Sequence, residues 1–172
     1  MERISKADIF NVPRGFYTLH QFVTLAADVM FVNSAPFLVT FSRKVRLRTA
    51  EHIPNRTAGL LVRSLSKIIQ MYTKGGFVVN LILLDQEFDK LEGKLDLIEI
   101  NTTTAREHVG EIERSICTIK ERVREITTVM PYKVFPKQVV VHLVYYVTTL
   151  LNCSISNLGF LKKFSVQNGE EM

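Results

Sequence analysis

The chain has 172 residues, 47% hydrophobic and 23% charged, with a formal charge of +5 and a pI near 9.3. That balance fits one compact domain and excludes an extended disordered chain, while the basic bias favours a polyanionic partner. Two cysteines, Cys117 and Cys153, are too few for a disulfide framework, and no stretch reads as a membrane helix or signal peptide, so a nuclear or cytoplasmic, non-secreted protein without membrane contact is expected.

Residues 1–20 have weak periodicity and a turn signal at Pro13-Arg-Gly15, which predicts a loosely ordered lead-in to a core over 21–160, followed by a frayed tail over 161–172. Phe22 to Val32 reads as a buried strand, and Asn33-Ser-Ala-Pro36 turns it into a second strand over Phe37–Phe41. Val45 and Leu47 alternate with Lys44, Arg46 and Arg48, which predicts a third strand with one wet, basic face.

Asn55 or Thr57 can cap a helix whose apolar residues Leu61, Leu65, Ile68, Ile69 and Tyr72 recur at helical spacing, with Gly75-Gly76 closing it. Phe77 to Leu84 is apolar almost throughout, as in a strand buried on both faces, and Asp85 stands at its end. Leu95 to Ile100 reads as a short fifth strand. A long helix opens within His108-Val-Gly-Glu-Ile-Glu113-Arg114 and carries Ile112, Ile116, Ile119, Val123 and Ile126 as its apolar stripe; a last helix runs from Lys137 to about Asn152. Hairpin strands followed by alternating helix and strand predict an α/β fold, a mixed five-stranded sheet flanked by helices with the element order of ribonuclease H-like domains.

Three carboxylates stand out. Asp28 interrupts an apolar strand, where an ionised group needs a cation, either a structural Arg or Lys or a metal. Asp85 is a turn-former or a ligand, with Glu87 and Asp89 as neighbours that could compete. Glu113 lies beside Ile112 on what reads as a first helical turn, where Glu111 could equally serve the helix dipole. If the three converge, like charges prevent all from staying ionised without compensation, and hard oxygen donors suit Mg²⁺ or Mn²⁺. Glu113, Cys117, Lys120 and Arg124 share one strip of the long helix, so a metal at one end and a nucleic-acid phosphate further along is one reading; surface pairing among Glu121, Arg124 and Glu125 is the other.

Over roughly residues 28–152 the chain resembles the catalytic core of retroviral and retrotransposon integrases, most of all the copia-like ones. In that family an Asp lies on the first strand, a second Asp precedes a segment ending in Glu-Phe, and a Glu follows His-x-Gly and precedes Arg. Asp28, Asp85 with Glu87-Phe88, and Glu113 with His108, Gly110 and Arg114 match those places. The resemblance selects Glu113 over Glu107 and Glu111. It implies a metal-dependent polynucleotidyl transferase, working as a homo-oligomer, that trims DNA 3′ ends and joins them to target duplex. Asp28, Asp85 and Glu113 would be its catalytic metal ligands, with Lys120, Arg124, Arg43 and Lys44 as phosphate contacts. The alternatives are a catalytically silent ribonuclease H-like remnant that binds nucleic acid or a protein partner, and a hydrolytic nuclease of the same fold.

Overall fold

The computed structural model describes residues 14–85, 88, 99–101 and 105–155. The segment before Arg14, Glu87 and Asp89, residues 95–98 of the expected fifth strand and the tail 161–172 lie outside the described residues. A short helix α1 (Arg14–His20) begins where a turn was expected at Pro13-Arg-Gly15 and leads into β1 (Phe22–Val32).

β1 and β2 (Ala35–Ser42) form an antiparallel hairpin around Asn33 and Ser34, whose φ angles of 45° and 63° match the two-residue turns that follow the twist of paired strands. β3 (Arg48–His52) pairs antiparallel with β2, and α2 (Ala58–Lys74) then returns the chain to β4 (Val78–Leu84), which runs parallel to β1. A three-residue segment, β5 (Glu99–Asn101), pairs parallel with β4, giving the order β3-β2-β1-β4-β5. α3 (Ala105–Val129) and α4 (Lys137–Ile155) complete the chain. β2 is buried at every position, as expected of a strand flanked on both sides and covered on both faces.

Strand alternation sends side chains into two cores. Ala26 and Met30 of β1, Phe37 and Val39 of β2 and Leu83 of β4 meet Ile112, Ile116, Ile119 and Val123 of α3 and Val140, Val144 and Val147 of α4. Val23, Leu25 and Ala27 of β1, Leu38 of β2 and Ile82 and Leu84 of β4 meet Leu61, Leu65, Ile68 and Tyr72 of α2. Burial pushes the Tyr72 phenol up to about 12, with the Ser42 hydroxyl opposing the shift.

Three elements depart from the sequence reading. The third strand starts at Arg48 rather than around Val45, because residues 43–47 form a closed turn: the Ser42 amide donates to the Leu47 carbonyl (3.0 Å), the Arg46 amide donates to the Ser42 carbonyl (2.8 Å), and Arg46 adopts φ 59°. A left-handed residue ends strand geometry locally. β4 is not buried on both faces throughout, since Val78 and Asn80 are exposed at its start. α3 begins at Ala105, so Glu113 lies eight positions in, in the third turn, and neither it nor Glu111 is a first-turn charge.

β3 is the sheet's edge, and α4 seals it. The Asn152 side chain accepts from the Arg48 amide (2.9 Å) and donates to the Arg48 carbonyl (2.8 Å), while the His52 amide donates to the Tyr145 hydroxyl (3.2 Å). These are the edge groups that would otherwise invite another strand. Asn152→Ala leaves both Arg48 backbone groups without this partner and is expected to destabilise the fold by about 1–3 kcal/mol in denaturant unfolding.

His52, which stacks edge-on to Phe37 with centroids 5.5 Å apart, is also tied to pH. Burial first, then the Lys137 charge, holds its imidazole below the ordinary 6.5, with Glu51 opposing. An unfolded chain therefore binds a proton here before the folded one does. The contribution of neutral His52 is fully present above about pH 6.5 and is lost as pH falls below that value toward the depressed folded pKa. His52→Gln is expected to flatten that limb of the stability-pH curve; a curve identical to the parent's would exclude His52 as its source.

Candidate metal and nucleic-acid site

Asp28 and Asp85 stand at the end of the β1–β4 ladder. In the β1–β4 ladder Val23 pairs with Val79 but Thr24 pairs with Leu81, so Asn80 is an extra residue, a bulge on β4. Before the bulge Val79 faces the α2 core; after it Leu83 faces the α3 and α4 core, while Ile82 and Leu84 face α2. Unbroken alternation would put Leu81 and Leu83 on the face of Val79; the bulge instead turns them to the α3 face, on which Asp28 lies between Ala26 and Met30 of β1. The last ladder pair is Ala27 with Leu84; Asp28 is the next residue of β1, and Asp85 is the first residue after β4.

Local bonding fixes both ends. The Arg43 amide donates to the Thr24 carbonyl, so even-numbered backbone groups of β1 point to β2 and odd-numbered ones to β4. The Val29 amide thus points past the end of β4, and an Asp28 carboxylate oxygen accepts it at 2.6 Å. Asp85 is exposed at the strand mouth. Its carbonyl accepts the Phe88 amide (2.9 Å), and the buried Phe88 side chain anchors the departing chain in the α2 core. The Glu-Phe element of the sequence pattern therefore has a packing role at its Phe.

Glu113 and Glu111 lie on opposite flanks of α3. At ~100° per residue, each is about a quarter turn from the buried stripe of Ile112, Ile116, Ile119 and Val123, in opposite senses. Glu111 faces the β2–β3 turn, where the Arg43 guanidinium donates to it at 2.7 Å, and Ser115 on that flank accepts from Arg48 Nε at 3.1 Å. Glu113 consequently lies on the flank turned toward the β4 side, together with Cys117, Lys120 and Arg124. It is exposed there. Among the described residues no three His, Cys, Asp or Glu side chains form one metal-holding group. Asp28 and Asp85 offer hard oxygen donors at the end of the β1–β4 ladder, and no cluster of them with Glu113 is found among the described residues.

Of the expected phosphate contacts, Arg43 is engaged by Glu111, whereas Lys44 and Arg124 are exposed and Lys120 is half-buried. The feature missed in sequence was Asn80, a polar interruption of the apolar run Phe77–Leu84 that marks the bulge.

No family model matches the sequence, and no curated relative matches it. Solved structures do match in shape. The catalytic core domain of BIV integrase superposes with a TM-score of 0.52 at 17% identity, covering 78% of this chain and 84% of that one. A chain of the simian T-cell lymphotropic virus intasome, solved in complex with PP2A regulatory subunit B56 gamma, superposes with a TM-score of 0.53 at 16% identity, covering 71% of this chain and 46% of that one. This chain therefore spans less than half the length of that intasome chain. No helix among the described residues is long and apolar enough to cross a membrane. With its mixed sheet flanked by helices, the chain carries the ribonuclease H-like fold of retroviral integrase catalytic cores.

Proposed function

We propose that this chain is the catalytic core of a retroelement integrase, a metal-dependent polynucleotidyl transferase of the retrotransposon kind that processes DNA 3′ ends and transfers them to a target duplex. In this reading β5 completes a five-stranded sheet. The observation that supports it best is the position of Asp28 and Asp85 at the end of the β1–β4 ladder, with the helix that bears Glu113 packed on β1 and β4.

The residues fit a hard divalent cation as donors: Asp28 and Asp85 would hold it, and Glu113 would join them from α3. When bound, Mg²⁺ or Mn²⁺ supplies charge neutralisation at the phosphoryl oxygens and polarises the attacking and leaving oxygens. The chain's own residues then orient DNA. Lys120 and Arg124, further along the Glu113 strip, and Lys44 would meet phosphates, and Arg43 would add positive charge while held by Glu111. In the first reaction water attacks a phosphodiester near the DNA end, its oxygen bonding to phosphorus as the bond to the 3′ oxygen breaks, which leaves a free 3′ hydroxyl. That hydroxyl next attacks a target phosphodiester, exchanging one ester for another, so no protein nucleophile is required. The protein would act as a homo-oligomer on DNA, in the nucleus or cytoplasm.

The test is incubation with duplex oligonucleotides and Mn²⁺, comparing the parent with Asp85→Asn and Glu113→Gln. End-trimmed and joined products from the parent alone support the proposal. DNA binding without product from any of the three favours the silent remnant. Trimming without joining would indicate a hydrolytic nuclease.

A further inference from the structure

The turn between β2 and β3 is built as a rigid cationic tip. Ser42 and Leu47 close it through the 3.0 Å amide-to-carbonyl bond already described and a second one, in which the Leu47 amide donates to Ser42 Oγ (3.0 Å). Val45 and Leu47 pack inward against the α2 core, leaving Lys44 and Arg46 exposed. No ion pair to Lys44 or Arg46 is found among the described residues, in contrast to Arg43 with Glu111 and Lys67 with Glu51. At the tip Arg46 holds φ 59°, a conformation that glycine adopts more readily than any side-chain-bearing residue. Nothing in the closure of the turn calls for a cation at that position.

Behind the tip stands Arg48. Its Nε donates to Ser115 on α3, its guanidinium carbon lies 5.3 Å from the Phe41 ring centroid, and its backbone is held at both groups by Asn152. Its buried Nη1 has no hydrogen-bond partner among the described residues. Burial and the neighbouring Arg46 charge both act against its protonated form. The Arg46 and Arg48 guanidinium groups repel one another here.

We propose that the β2–β3 turn is a nucleic-acid backbone contact in which Lys44 and Arg46 each meet a phosphodiester, on a base made rigid by Arg48, Ser115 and Asn152. Phosphate oxygens at Lys44 and Arg46 relieve the repulsion, and a closed turn loses little freedom on binding. This deepens the DNA-binding part of the proposed function and rests on it, while assigning Arg46 a role and shifting the direct contact away from Arg43.

The test reads binding of a fluorescent duplex oligonucleotide by anisotropy across a salt series, in chelator, so that metal-dependent chemistry plays no part. Lys44→Gln with Arg46→Gln is expected to weaken binding tens of fold near 0.1 M salt and to make the log–log salt slope shallower by about 2. A charge-matched control, Lys74→Gln with Lys133→Gln, should change the slope little. Arg46→Gly adds a readout that a purely structural residue would not give: its thermal midpoint should hold or rise as the left-handed strain is relieved, while DNA affinity falls. Equal losses in the test and control variants, parental affinity in Arg46→Gly, or no binding by the parent would each overturn the proposal. Expected binding losses in a protein that yields no trimmed or joined DNA with Mn²⁺ would leave this contact standing and fail the catalytic reading alone.

Discussion

Asp85→Asn is expected to lose metal-dependent end cleavage and joining by more than about 100-fold, since even the groups that merely orient metal ligands are worth 10–100-fold. The substitution removes the negative charge and keeps the shape. Asp85 is exposed at the mouth of β4, so the protein should remain folded. Asp28→Asn provides the companion measurement. Its side-chain oxygen can still accept the Val29 amide, so the strand end keeps its local bond while the anionic oxygen is gone. Both variants should bind duplex DNA in chelator as the parent does. Parental product levels from either one would remove that aspartate from the proposed site. Unequal effects would rank the two ligands, which fold resemblance alone cannot do.

Phe37→Ala is expected to be among the most damaging core substitutions, costing about 3–5 kcal/mol. Phe37 is fully buried at the point where β2, β3 and α4 meet. Its ring meets His52 edge-on at 5.5 Å and Tyr145 at 6.5 Å, with interplanar angles of 66° and 85°. Tyr145 in turn accepts the His52 amide, so the ring supports the same contact that closes the edge of β3. The loss therefore combines a cavity with loosening of α4, and Phe37→Leu should recover much of it. Urea unfolding distinguishes the cases: a loss of unfolding free energy below about 1 kcal/mol for Phe37→Ala would show that α4 collapses into the space.

Much of the fold was legible because periodicity reports burial directly. The apolar stripe of α3 is buried at Ile112, Ile116, Ile119 and Val123, α2 buries Leu61, Leu65, Ile68 and Tyr72, and the turn after Val32 lies where Asn33 and Ser34 announced it. The displaced third strand has a definite cause. Alternation of Val45 and Leu47 with cations does describe inward and outward residues, but in a closed turn rather than a strand, because the Ser42–Leu47 closure and the φ of Arg46 are backbone events with no hydropathy signature. The candidate site was legible as residue types and not as geometry. The register and facing of β4 against β1 turn on a single unpaired residue, Asn80, and an apolar run reads the same with or without a bulge. α3 starts earlier than the His108–Arg114 pattern suggests because Ala105 and Arg106 are strong helix formers that carry no apolar periodicity. That shift moves Glu113 from a terminus, where backbone amides are free, into a helix interior where only its side chain can act.

The latch of α4 on β3 limits how this protein can meet its partners. Because Asn152 and Tyr145 occupy outward-facing backbone groups of that strand, an extended peptide cannot lengthen the sheet there without first releasing the helix. Assembly on the β3 side must then proceed through side chains of α4 and the basic turn rather than through main-chain pairing. A partner in this region is selected by shape and charge, and the protein is protected at that edge from the indiscriminate strand exchange to which open sheets are prone.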